Sequence, residues 1–112
     1  MAPARPAALR EFELLVLLAV LGLDDHAYPL SIRDAIEQRT GRAPSRAAVF
    51  ITLERLEDKR LLTSTFGDPT PVRGGRAKRY FRPTKAGIAA AQHAVDAVEA
   101  MRAGLSALER RR

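Results

Sequence analysis

Residues 45–62 read SRAAVFITLERLEDKRLL, and their reading decides the fold. Pro44 disfavours the α region for the residue before it, and Ser45 can accept hydrogen bonds from the first free backbone N–H groups. A helix therefore opens here. Val49, Leu53 and Leu56 recur at i, i+4 and i+7 and form one apolar stripe. Ala47, Ile51, Glu54, Arg55 and Asp58 lie on the opposite side of a helix of this pitch. The first turn, Ser45, Arg46 and Ala47, is small and positively charged. Such a front end suits a helix that enters the DNA major groove. Taken alone, the stretch is better read as an ordinary amphipathic surface helix, since such helices are common and this one also carries three acids. Its neighbours make it informative.

Upstream, Ile32, Ala35 and Ile36 form the inward stripe of a second helix. Ser31 as N-cap, with Asp34 three residues on, resembles a capping box, and Gly41 suits a left-handed stop. Helix, short turn, helix is the helix-turn-helix outline. Downstream come two β-favouring pieces, TSTF and YFR, around the loop GDPTPVRGGRAKR. Two short strands after a helix-turn-helix make a winged helix, with the loop as the wing. Its cations, Arg73, Arg76, Lys78 and Arg79, face only Asp68 among acids and suit phosphate contact.

An earlier helix is expected from about Leu9 to Leu23, apolar almost all round after a charged start. A helix of that kind is buried on most sides. A last helix opens at Pro83-Thr84, with Thr84 as N-cap, and is expected to reach about Glu109. Ala91, Ala94, Val98, Met101, Leu105 and Leu108 follow a heptad-type seam widened by Ile88 and Val95. Little of the chain is left to cover that seam, so a second copy is the simplest cover. Folding back on the first helix is the other option, and both can hold. The expected dimer residues are Leu14, Leu17 and Leu18 with Ala91, Val95, Val98, Met101, Leu105 and Leu108. The architecture is mostly α with a small β-hairpin: residues 1–8 a flexible arm, 9–83 a winged helix-turn-helix, 84–112 a long dimerisation helix.

Nineteen Lys and Arg against thirteen Asp and Glu give the 112 residues a net charge of +6. A polyanionic partner is the first inference. A membrane surface is the competitor, but no basic amphipathic helix with a broad aromatic face is present. Leu14 to Leu23 is too short an apolar run to span a bilayer, and no small-residue cleavage site follows it. A cytoplasmic location is expected. There are no cysteines, which removes disulfides, thiolate nucleophiles and Cys-based metal sites. His26 and His93 lack metal-ligand spacing, and neither a GxSxG nor a Walker-type loop occurs. Neither catalytic residues, metal nor cofactor is expected, and the chain reads as a non-enzyme.

The order of these pieces resembles the PadR-like transcriptional regulators over nearly the whole chain after the arm. The resemblance is carried by LREFELLVLLAVL, AYPLSIRDAI, SRAAVFITLERLEDKRLL, the wing end GGRAKRYF and the helix start TKAG. It implies a homodimeric winged-helix repressor of transcription that binds double-stranded DNA. Arg46 and its neighbours Ser45, Ala47, Phe50, Ile51 and Arg55 would face the bases. Arg76, Lys78 and Arg79, with Arg73, would grip phosphates. Three departures stand out. Arg60 occupies the place of a usual glycine, where a left-handed cap costs roughly 1 kcal/mol more than on glycine, so a different turn is expected. Phe50 lacks the hydroxyl of the usual Tyr. Some relatives bind flat aromatic drugs through tryptophan; this chain has none, and drug binding is not carried over. The resemblance leaves room for a small-molecule effector without identifying one. Two other readings share the sequence: an architectural or replication-terminating DNA binder, and a winged-helix module that binds protein through its last helix.

Overall fold

A computed structural model describes residues 6–67 and 77–109. The outer part of the expected arm, the wing cations Arg73 and Arg76 and the terminal residues 110–112 lie outside them. The chain runs α1 (Glu11–Leu23), a 3-10 turn (Asp24–His26), α2 (Pro29–Thr40), α3 (Arg46–Asp58), β1 (Leu62–Phe66), β2 (Arg79–Pro83), α4 (Lys85–Arg102) and a 3-10 turn (Ser106–Leu108). Four helices and one antiparallel hairpin are the winged helix-turn-helix that the sequence predicts.

The core forms where the apolar stripes meet. Val16, Leu17 and Val20 of α1, Ile32 and Ile36 of α2, and Val49, Leu53 and Leu56 of α3 are all buried. The hairpin closes this core. It pairs Leu62 with Pro83 through Phe66 with Arg79, and places Leu62 and Phe81 inside. The other edge of β2 is used as well: the Phe81 N–H donates to the Ala27 carbonyl at 2.8 Å. Ala90 and Ala91, in the first half of α4, are buried against the same core. Ala7 also packs on it, so the arm expected over residues 1–8 reaches the body of the fold. Among the described residues no helix is long and apolar enough to cross a membrane.

Four expectations change. Helix α2 begins at Pro29, three residues before the start expected from Ser31 as N-cap, because proline's fixed φ suits the first helical position. Ser31 therefore stands in the third helical position, where its Oγ accepts from the Tyr28 N–H at 3.0 Å. Asp34 instead accepts from Arg33. Helix α4 stops at Arg102 rather than near Glu109: Ala103 turns extended and Gly104 takes φ +81°. Leu17 and Ala91, expected at a dimer seam, are 0% and 2% exposed within their own chain. The first half of α4 thus folds back on the body of its own chain, and the second half is left uncovered. Finally, Arg60 does not change the turn it occupies. It adopts φ +62°, the conformation that a glycine would take at no steric cost. The Arg60 N–H donates to the Glu57 carbonyl and the Leu61 N–H to the Leu56 carbonyl, both at 2.9 Å. That is the Schellman closure of a helix, and the buried pair Leu56 and Leu61 supplies its apolar contact.

Glu13 is the one buried acid among the described residues. Burial would raise its carboxyl pKa. The Arg10 N–H at 2.9 Å and the Lys59 ammonium at 3.0 and 3.1 Å outweigh that, and the pKa lies below its ordinary value. The pair ties the start of α1 to the end of α3.

Two measurements check this account. Arg60→Gly should stabilise the protein by up to about 1 kcal/mol, read as a rise of a few degrees in Tm; an unchanged or lower Tm means that Arg60 gains compensating contacts. Because folding lowers the Glu13 pKa, its contribution is present above the unfolded glutamate value of about 4.3 and is lost as pH falls through the lower, folded value. Glu13→Gln should therefore cost roughly 1–3 kcal/mol near neutral pH. The gap from wild type should close in acid. Parallel stability curves against pH would remove the charge role assigned to Glu13.

Candidate nucleic-acid interface

The helix-turn-helix is held by local chemistry. Gly41 closes α2 at φ +80°, its N–H donating to the Glu37 carbonyl at 2.9 Å. The turn is then pinned from the side: Arg33 Nε donates to the Pro44 carbonyl at 3.0 Å while its Nη1 holds Asp34 and Glu37. Ser45 caps α3, its Oγ accepting from the Ala48 N–H at 3.0 Å. These contacts fix the angle at which the front of α3 leaves the body.

That front is exposed as a unit. Ser45, Arg46, Ala47 and Arg55 are open to solvent, and Phe50 and Ile51 are 45% and 53% exposed. Two large apolar side chains left in water on a positive helix front form a surface suited to base edges, where a thymine methyl offers apolar contact and a guanine offers two acceptors to arginine. No acid occurs in α3 before Glu54. Arg46 and Arg55 make no ion pair among the described residues, whereas Arg33, Arg42, Lys59, Arg79, Arg82 and Arg102 do.

The wing's base behaves differently from the expectation. Arg79, read from sequence as a phosphate contact, faces back into the protein. Its Nη1 donates to Glu54 at 2.8 Å, its Nη2 to Glu57, and its Nε to Ser64 Oγ at 3.0 Å. Ser64 Oγ in turn donates to Glu57 at 2.7 Å. The guanidinium also lies against the rings of Phe81 and Phe50, at 5.0 and 5.9 Å from their centres. The hydrogen bond to Glu54, despite partial burial, holds the Arg79 pKa above its ordinary value. Lys78 is exposed, with Nζ 4.3 Å from the Tyr28 ring centre, and Tyr28 meets Tyr80 edge-on at 5.7 Å.

Sequence reasoning missed the Arg79 cluster. The available signal was an acidic pair, Glu54 and Glu57, three apart on the helix that was expected to meet a polyanion. Such acids need a cation nearby, and β2 supplies it.

The C-terminal face is also incomplete. Val98 (60% exposed), Met101 (78%), Leu105 (48%) and Leu108 (61%) form a continuous apolar surface with Ala97 and the stem of Arg102. Leu18 of α1 is 38% exposed, while Leu14 and Val95 are half-buried. Among the described residues no cluster of His, Cys, Asp or Glu could hold a metal ion.

The fold recurs among solved proteins. A transcriptional regulator from Clostridium thermocellum superposes with a TM-score of 0.69 at 18% identity, covering 88% of this chain and 92% of that one. A PadR family transcriptional regulator from Eggerthella lenta gives 0.68 at 20% identity, covering 88% and 85%. One from Clostridium difficile gives 0.59 at 19%, covering 81% and 98%. No curated protein matches the chain. The sequence model of the transcriptional regulator PadR-like family matches residues 17–93, which span α1 from Leu17, the helix-turn-helix, the hairpin and the first half of α4. With that match over most of its length, the chain belongs to the PadR-like family of transcriptional regulators.

Proposed function

We propose that this regulator is a homodimeric repressor that binds a pseudo-palindromic operator in double-stranded DNA. One observation carries the reading: α3 presents an exposed, acid-free front made by Ser45, Arg46, Ala47, Phe50 and Ile51, whose one charge, Arg46, makes no ion pair among the described residues. Residues 9–83 serve as the DNA-binding unit, and the second half of α4 with the turn after it serves as the dimerisation arm. The apolar surface at Val98, Met101, Leu105 and Leu108 supports a second copy as its cover, since a two-fold interface lets one patch meet itself. Repression follows from occupancy, because a dimer seated on promoter DNA excludes polymerase from it. Arg73, Arg76 and Lys78 act from the wing as phosphate contacts that add affinity rather than sequence preference.

A two-fold dimer requires half-sites about one helical turn apart, or a multiple of it. Duplexes selected from a random pool should therefore converge on an inverted repeat. Arg46→Ala should cost roughly 1–3 kcal/mol on that duplex and relax preference at one position per half-site. A loss that is equal on every sequence would make Arg46 a backbone contact only.

Val98→Asp places a charge at a position already exposed in the single chain, so the fold should survive while association weakens. Sedimentation at micromolar concentration reads the result. A wild type that sediments as a monomer removes the proposed arm.

A further inference from the structure

The Arg79 cluster joins three elements that a DNA-binding winged helix must hold in one geometry. Glu54 and Glu57 belong to α3, Ser64 to β1 and Arg79 to β2. Each nitrogen of the guanidinium has a protein acceptor: Nε on Ser64, Nη1 on Glu54 and Nη2 on Glu57. The Arg79 side chain is 21% exposed, against 41% for Glu54 and 29% for Glu57. The cation is thus the more enclosed member of each pair. Turning it outward would leave two partly buried carboxylates unpaired beside the phosphate backbone, which is worse than leaving one cation short of a phosphate. The Phe50 ring, on the exposed front of α3, lies against the same guanidinium.

We propose that Arg79 is a positioning residue: it binds the wing's return strand to the recognition helix and keeps Glu54 and Glu57 from repelling DNA, without itself touching a phosphate. This rests on the DNA-binding reading above. The front of α3 and the root of the wing then approach the duplex as one surface. A lysine cannot replace the arginine, because an ammonium is a point charge and cannot span two carboxylates and a hydroxyl with a planar fork.

The experiment uses the full chain and a duplex selected with wild-type protein from a random pool. Arg79→Lys should weaken binding at least about tenfold, since charge-assisted hydrogen bonds are lost. The slope of log affinity against log salt should stay unchanged, because no phosphate contact is removed. In the Glu54→Ala/Glu57→Ala background, Arg79→Lys should change affinity less than about twofold, as coupled residues are non-additive. Binding by Arg79→Lys within about twofold of wild type, or a slope shallower by about two in Arg79→Met, would make Arg79 a phosphate contact and overturn the proposal. Glu54→Ala/Glu57→Ala with Arg79 retained gives an independent reading if the Arg79 variants fail to fold, which thermal melts monitored by circular dichroism detect. That double variant should bind more weakly than wild type; tighter binding, from a freed arginine and lost repulsion, also overturns the proposal. If the wild type enriches no duplex, the DNA-binding reading falls first and this inference with it.

Discussion

The end of α3 meets the start of α4 within a space that only bare backbone can fill. A Cβ on Gly87 would sit 2.0 Å from the Leu61 carbonyl oxygen, far inside contact distance. Thr84 completes the joint. Its N–H donates to the Leu61 carbonyl at 3.1 Å, its hydroxyl donates to the Arg60 carbonyl at 2.8 Å, and the same Oγ accepts from the Gly87 N–H at 3.0 Å. The turn that ends α3 is therefore also the platform from which the last helix departs. The left-handed Arg60 belongs to this arrangement. Any other backbone there would redirect the carbonyls that Thr84 reads and move α4 off the body.

That joint explains why Arg60 is tolerated in a place that favours glycine. The steric cost of a left-handed arginine is on the order of 1 kcal/mol. Against it stand two helix-closing hydrogen bonds, two bonds from Thr84 and the burial of Leu61 and Leu62. Several interactions that all require one geometry outweigh a single local preference. The TKAG start of α4 has the same logic: threonine supplies the cap and the cross-link, and glycine supplies the clearance.

Charge is distributed by function rather than evenly. The chain carries a net +6, yet the rear half of α3 is acidic. Two of those acids, Glu54 and Glu57, are matched by Arg79 from the hairpin, and the buried Glu13 by Lys59 from the end of α3. What α3 offers outward is its front, where Arg46 stands beside the apolar Phe50 and Ile51. A basic composition therefore overstates how much positive charge is open to a partner, since part of it neutralises acids inside the fold.

The sequence by itself determined most features whose cause lies within a few residues, although the start of α2 at Pro29 and the stop of α4 before Gly104 are equally local and ran against expectation. Ser45 caps α3, Gly41 closes α2 and Thr84 caps α4, because a cap is a bond between a side chain or backbone group and an N–H or C=O one turn away. The apolar stripes of α2 and α3 and the two strands were legible for the same reason: periodicity is local. The tertiary structure alone decided the rest. Arg79 and Lys78 are neighbours in a basic run, yet one turns into an acidic cleft that residues 54 and 57 create and the other stays outside. Leu17 and Ala91 lie on stripes that look identical to their neighbours, but they fall where α1 and α4 meet within one chain and are closed to any second copy. The left-handed Arg60 violates its own local preference because partners more than twenty residues away hold it there. Such outcomes depend on which elements are brought together in space, and a one-dimensional pattern does not encode that distance.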